Sequence, residues 1–385
     1  MMEEKILVVH GGGPTAVINA SLYGVIREAA RHPGLKVYGA CGGVDGIFRE
    51  AWIDLLKQPK EQIERLPATP ASALGTSRTK LQPEDYRQIV AILKRNNLRY
   101  LLFNGGNGSM DTCGKIQELA AAQGIQVLGI PKTIDNDIAV TDHCPGYGSA
   151  ARFLAASVAD VAQDVQAMPI HVSIVEAMGR NAGWIAASSA LARRRSGAAP
   201  HLIYLPERPF NAVEFLEDVD RLHRQLGGVV VVASEGLVNA DGRPIVEPLL
   251  TKGRDVYFGD VGTHLAVLVM KELGIKARSE KPGILGRASI ALQSAVDREE
   301  AVRVGEFAVQ SLLEGKSGHM VGYRRVADEP YACETVLIPL AQVMLNERKM
   351  PDHYINARGN DVSDEFLNYC RPLIGGPLPE FAELS

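Results

Sequence analysis

The stretch Val127-Leu128-Gly129-Ile130-Pro131-Lys132-Thr133-Ile134-Asp135-Asn136-Asp137 runs from an apolar segment straight into two carboxylates spaced two residues apart. Val127–Ile130 reads as a buried strand, and in extended backbone residues i and i+2 point the same way. Asp135 and Asp137 are therefore expected to project together from the carboxyl edge of a strand, with Thr133 on their side and Lys132 facing otherwise. Open α/β sheets hold their ligands at that edge. An ordinary polar loop with Asx turns is the competing reading, because Asp and Asn are common turn residues.

Working outward, the same plan recurs. Upstream, the strand Lys5–His10 breaks into Gly11-Gly12-Gly13-Pro14-Thr15 before an amphipathic helix over about 16–31. Glycines let backbone N–H groups approach an anion, and a helix N-terminus favours one. No Walker lysine follows, and there is no clean GxGxxG. Val37–Ala40 reads as a second strand, and Gly75-Thr76-Ser77-Arg78 as a break whose arginine suits a bidentate phosphate contact, although a solvated surface charge is the commoner role. A helix Pro83–Asn96, a strand Tyr100–Asn104, the turn Gly105-Gly106-Asn107-Gly108-Ser109, a helix Met110–Gln123 and a strand Gln126–Ile130 lead back to the aspartates. This β-α-β-α order predicts a parallel, doubly wound sheet.

Downstream, a similar half follows a helix Ala150–Asp164. The strand His171–Glu176 enters Ala177-Met178-Gly179-Arg180, and Gly228–Ala233 ends in Ser234-Glu235-Gly236. Arg278 and Arg287 flank a Pro-Gly segment, after which Ala288–Leu292 and Asp297–Leu313 read as regular structure. Two α/β halves with polar turns at their strand ends predict two lobes and a cleft.

Composition narrows the class. With 385 residues, 46% hydrophobic and 22% charged, the chain can bury a large core. A formal net charge of -4 without long runs of either sign argues against a nucleic-acid backbone or an anionic membrane as partner. Five scattered cysteines without CxxC spacing fit reduced thiols and a cytoplasmic setting. No apolar stretch has the length of a membrane helix, and the N-terminus lacks a signal-peptide plan.

Taken in order, GGGPTAVINA, GTSR, FNGGNGSMD, PKTIDND, VEAMGRNAGW, SEG and the Arg278–Arg287 segment resemble the phosphofructokinases over most of the chain. The resemblance implies two Rossmann-like three-layer lobes with mainly parallel sheets: a larger donor-binding lobe of residues 1–146 plus about 286–338, and a smaller sugar-phosphate lobe of 147–285 plus about 339–385. It implies a homodimer or homotetramer with sites shared between subunits, fructose 6-phosphate phosphorylated at its 1-hydroxyl, and Mg2+. Phosphoryl transfer requires a base, a metal, cations for the equatorial oxygens and donors that hold the phosphates. By resemblance Asp135 is the base and Asp137 lies toward the metal with Asn107, while Thr133 bonds a phosphoryl oxygen and Arg180 and Arg78 balance charge. Gly12, Gly13, Gly106, Gly108, Ser109 and Lys132 line the donor. Met178, Gly179 and Glu235 meet the sugar, Arg278 and Arg287 grip its 6-phosphate, and His171 stands where many bacterial ATP enzymes have a further arginine. Asn107 likewise departs from the aspartate usual in ATP enzymes.

Two positions speak to the donor. By the same resemblance, pyrophosphate enzymes typically carry an aspartate where this chain has Gly108, and lysine at 132 is a pyrophosphate-type feature that some ATP-dependent members also carry. Weighing the missing carboxylate more heavily, because a lysine can reorient on its stem, gives ATP as the expected donor, with pyrophosphate as the alternative. A longer ketose phosphate such as sedoheptulose 7-phosphate, and a non-catalytic sugar-phosphate binder, are the remaining readings.

Overall fold

The structure is a computed structural model describing residues 4–195, 197–252 and 255–382. It divides into two compact units, residues 1–149 with 287–348 and residues 150–286 with 349–385.

The first unit is built on a seven-stranded sheet. Its strands in chain order are β1 (Glu4–His10), β2 (Leu35–Ala40), β3 (Trp52–Asp54), β4 (Tyr100–Gly105) and β5 (Gln126–Pro131), and the chain later returns with two more. The second unit holds β6 (Val172–Ala177), β7 (Leu202–Tyr204) and β8 (Val229–Ser234), a two-stranded hairpin of β9 (Pro248–Lys252) and β10 (Asp255–Phe258), and β11 (Ala277–Glu280). β12 (His319–Asp328) and β13 (Tyr331–Pro339) complete the first sheet. The order there is β13-β12-β5-β4-β1-β2-β3, and in the second unit β11-β6-β8-β7. All pairs in the smaller sheet are parallel, whereas β3 and β13 run antiparallel at the two edges of the larger one.

Burial explains the layering. Every residue of β4 is buried, as expected for a strand covered on both faces. Alternate residues feed two cores: Leu7, Val9, Leu101 and Phe103 pack with Ile89, Met110 and Ile116 on one face, while Ile6, Val8, Leu102 and Leu128 pack with Leu22, Val25, Val304 and Val309 on the other. In the second unit Val172, Ile174, Val229 and Val231 pack with Phe215, Val219, Leu265 and Val269.

The larger sheet reverses its winding between β1 and β4, and the smaller one between β6 and β8. Ligand sites of doubly wound sheets lie beyond the carboxyl ends of strands at such points. The loops Gly11–Gly13 and Gly106–Ser109 leave one switch point, and Met178–Arg180 and Glu235 leave the other.

Two expectations are corrected. The helix expected from Met110 is Asn107–Ala120, with Gly106 at its N-cap, so Asn107, Gly108 and Ser109 form its first turn. Ala288–Leu292 is not a regular element, since the short helix Ile284–Ala288 ends where it was expected to begin. The β12–β13 hairpin and β3 had no counterpart in the pattern reading.

Candidate active site

In the first unit, one cluster gathers most of the expected donor-side residues. β1 delivers the glycine loop, and Gly11 bridges to Ser77 in parallel register. The Gly12 N–H is spent on the Ser77 carbonyl at 3.2 Å, and the Gly12 carbonyl accepts from the Thr76 hydroxyl at 2.8 Å. This lacing carries Arg78 to the glycine loop. A side-chain carbon at Gly13 would lie 2.9 Å from Arg287 Nη1 and 3.4 Å from Arg78 Nη2, so both guanidinium groups sit against this loop, and Arg287, expected with Arg278 at the sugar 6-phosphate, lies instead beside the donor-side glycines.

Lys132 does not face away. Its N–H donates to the Gly105 carbonyl at 2.9 Å, and its ammonium donates to the Gly13 carbonyl. At 3% exposure it is sealed in, and burial brings it down to about 8, with Asp135 pulling upward and Arg287 and Arg78 pushing further down. Neighbouring His10, fully buried, is pushed down to about 3 by burial and by Lys132, and its Nδ1 lies 2.8 Å from Ser72 Oγ.

The aspartate stretch turns rather than running extended. β5 stops at Pro131, and Asn136 takes a left-handed backbone with φ +55°. The Asp135 N–H donates to Thr133 Oγ1 at 3.1 Å, and that hydroxyl donates to Asp137 Oδ1 at 3.2 Å. Asp137 Oδ2 accepts from the Asn107 amide at 2.8 Å, which ties the turn to the first turn of the Asn107–Ala120 helix. Burial pushes the Asp137 carboxyl up, against hydrogen bonds from its own backbone, Thr133 and Asn107. Asn107 Oδ1 is buried without a hydrogen-bond partner. An unspent amide oxygen next to a carboxylate is a donor set for a hard cation such as Mg2+. Ser109 packs its hydroxyl against Gly11 and Gly105, whereas a side-chain carbon at Gly108 would meet nothing within 4 Å.

In the second unit the expected residues fall into two groups. Met178, Gly179, Arg180 and Glu235 gather at the carboxyl ends of β6 and β8. The Glu235 N–H donates to the Ala177 carbonyl at 2.9 Å, and the Ser234 hydroxyl donates to the Gly179 carbonyl at 2.8 Å. A side-chain carbon at Gly236 would lie 1.7 Å from the Arg180 carbonyl, so the two turns touch backbone to backbone. Burial pushes the Glu235 carboxyl up, partly offset by Arg180 and by the Gly179 N–H. Arg180 itself is exposed, its guanidinium 5.8 Å from the centre of the Phe258 ring.

His171 and Arg278 lie at the other end. His171 immediately precedes β6, and Arg278 pairs with Ser173 near its start. Six strand residues at ~3.3 Å each put about 20 Å between the two ends of β6. His171 Nε2 is buried without a partner, and burial followed by Arg278 pushes the ring's pKa down. Pattern reading missed Glu176, which is buried at the end of β6, accepts from the Gly262 N–H at 2.8 Å and pairs with Lys281 at 2.8 Å. A carboxylate closing an otherwise apolar strand was the available signal.

A family model described as Phosphofructokinase matches residues 5–312. The chain belongs to the phosphofructokinase family. A pyrophosphate–fructose 6-phosphate 1-phosphotransferase of Rhodospirillum rubrum is 39% identical, over 99% of this chain and 96% of that protein. One of the same description from Xanthomonas campestris is 40% identical over 98% and 93%. The crystal structure of a pyrophosphate-dependent phosphofructokinase from Marinobacter aquaeolei superposes with a TM-score of 0.89 at 37% identity, covering 99% of this chain and 94% of that one. Among the described residues, no helix of this phosphofructokinase-family chain is long and apolar enough to cross a membrane.

Proposed function

We propose that the chain transfers a phosphoryl group from pyrophosphate to the 1-hydroxyl of fructose 6-phosphate, reversibly and with Mg2+. The relatives just described support pyrophosphate, the alternative of the sequence reading, better than ATP. The observation that carries the donor reading is the buried Lys132 ammonium at the Gly13 carbonyl, with Arg78 and Arg287 beside the same loop. A lysine sealed at 3% exposure does not swing aside on its stem, which in this reading gives Lys132 more weight than Gly108. Open space at Gly108 permits a nucleotide without demanding one. Three cations around one short loop suit a compact, highly charged donor.

In this reading Asp135 takes the proton of the attacking hydroxyl. Thr133 fixes the turn by accepting from the Asp135 N–H, and Lys132, Arg78 and Arg180 neutralise the phosphoryl oxygens. Mg2+, held by Asp137 and Asn107 Oδ1, supplies further charge neutralisation when bound. Glu235 orients the sugar hydroxyls. The separation of His171 and Arg278 from Arg180 along β6 supports a sugar site completed by a second copy, whose own His171 and Arg278 hold the 6-phosphate. That arrangement requires at least a homodimer.

The test is 31P NMR of the purified protein with Mg2+, pyrophosphate and fructose 6-phosphate or sedoheptulose 7-phosphate. Fructose 1,6-bisphosphate and orthophosphate are the expected products, and fructose 1,6-bisphosphate with orthophosphate should regenerate pyrophosphate. Turnover confined to the longer sugar would change the acceptor, and no turnover with either would reject the reading.

A further inference from the structure

The first unit buries an ion cluster that takes no part in the chemistry above. The His143 ring, 2% exposed, has Nδ1 2.8 Å from Asp142 Oδ2 and Nε2 2.6 Å from Glu300 Oε2, and it stacks on Tyr323 with centroids 4.4 Å apart. Ionised carboxylates only accept, so a ring between two of them donates from both nitrogens.

The groups around the ring come from five segments. Asp142 belongs to its own loop. The helix Ala295–Leu313 supplies Glu300, Asp297 and Arg303. β12 supplies Arg325, which reaches Asp142 at 3.2 Å, and Tyr323. β13 supplies Cys333 and Tyr331, whose hydroxyl donates to Glu300 Oε1 at 2.9 Å, beside Arg303 at 3.2 Å. Arg348 donates to the carbonyls of Thr141 and Asp142. Burial works against a charged ring here, yet Glu300 and Asp142 lift it to about 9.

The residues that follow His143 hold the aspartate turn. The Cys144 N–H donates to Asn136 Oδ1 at 3.0 Å, and the Pro145 carbonyl accepts from the Thr133 N–H at 3.1 Å. Asp297, three residues before Glu300 and so on the same helix face, accepts from the N–H groups of Gly146 and Ser149 at 2.8 and 2.9 Å. Glu300 and Asp297 thus grip the loop on either side of the two residues that hold Thr133 and Asn136.

We propose that His143, held as an imidazolium between Asp142 and Glu300, is a positioning residue that sets the Thr133–Asp137 turn for phosphoryl transfer. Its role in the reaction rests on the function proposed above, whereas the clamp itself does not. Loss of the ring proton leaves two carboxylates across a neutral imidazole that can donate to only one of them. The loop then loses its hold on the helix, and the turn loosens.

Two measurements test this. Hydrogen exchange of peptides covering 132–147, corrected for intrinsic pH dependence, needs no turnover. Wild type should hold its protection to pH 8 and lose about tenfold as the pH passes about 9. His143→Gln should have lost that protection already at pH 7. In steady-state kinetics His143→Gln should lower kcat by about 10²-fold while the KM values for both substrates stay within about threefold. Glu300→Gln is the conservative partner: its amide donates to a neutral ring, so kcat at pH 7 should survive and the alkaline step, read at saturating pyrophosphate, should vanish. If His143→Gln does not fold, the wild-type exchange profile and Glu300→Gln still decide. Wild-type protection that persists beyond pH 10, or an alkaline step unchanged in Glu300→Gln, would overturn the proposal. A wild type that transfers no phosphoryl group yet shows the exchange step rejects the proposed function and leaves the clamp standing.

Discussion

Lys132→Met separates what this side chain does for the donor from what it does to the fold. Burial brings the ammonium from 10.5 to about 8, so the folded state disfavours the charged form by about 3 kcal/mol. The sign follows from proton counts. The unfolded chain holds this proton until about pH 10.5 and the folded chain only until about pH 8. Stability is therefore lowest below pH 8 and rises between about 8 and 10.5 as the folded lysine deprotonates. Met removes the charge but also the bond to the Gly13 carbonyl, which contributes ~1 kcal/mol in neutral form. At pH 7 the variant should be more stable by about 2 kcal/mol in urea unfolding, and the alkaline rise should be gone. Activity should move the other way. One charge-assisted phosphate contact is worth ~1.5–3 kcal/mol, so kcat/KM for pyrophosphate should fall by about 10- to 150-fold in an aldolase-coupled NADH assay. In wild type the same kcat/KM should decline above about pH 8. A variant that is less stable at pH 7, or that keeps its pyrophosphate kcat/KM within about twofold, would refute the assignment of Lys132 as a strained donor-binding cation.

Asp135→Asn should leave thermal unfolding and both KM values nearly unchanged while kcat falls by at least ~10²-fold; initial rates at saturating substrate check it. Arg278→Ala should raise the KM for fructose 6-phosphate by ~10- to 150-fold, the worth of one charge-assisted contact, and leave the pyrophosphate KM alone. Gly108→Asp places a carboxylate in the first turn of the Asn107–Ala120 helix, where nothing lies within 4 Å of the new carbon. It should fold, abolish any residual ATP turnover, and cost far less with pyrophosphate, so the ratio of the two kcat/KM values is the readout.

The parts of this site that the sequence revealed are those with short-range signatures. β1, β4 and β5 announce themselves as apolar runs ending in glycine or aspartate, and the doubly wound order follows from their alternation with helices. Composition points the first turn of the Asn107–Ala120 helix toward loop, because Asn107 and Gly108 are common turn residues, yet the helix starts there with Gly106 at its N-cap. Alternation misplaces Lys132 because it assumes extended backbone, and the strand ends one residue before it. His143 gave no signal at all. Its partner Glu300 lies 157 residues away in the chain, and a histidine beside Asp142 and Cys144 reads equally as an ordinary loop residue. The pairing of Lys281 with Glu176 was hidden in the same way, since long-range ion pairs leave no periodicity, although the Glu176 carboxylate itself closes an otherwise apolar strand.

Donor choice is open to a direct comparison. The purified protein with Mg2+ and saturating fructose 6-phosphate should be assayed for fructose 1,6-bisphosphate with pyrophosphate and with ATP in parallel. The kcat/KM for pyrophosphate should exceed that for ATP by at least ~10²-fold, equivalent to about 2.7 kcal/mol of preferential transition-state binding. Efficient turnover with ATP and little or none with pyrophosphate would contradict it, and would mean that the open space at Gly108, not the buried charge of Lys132, sets the donor.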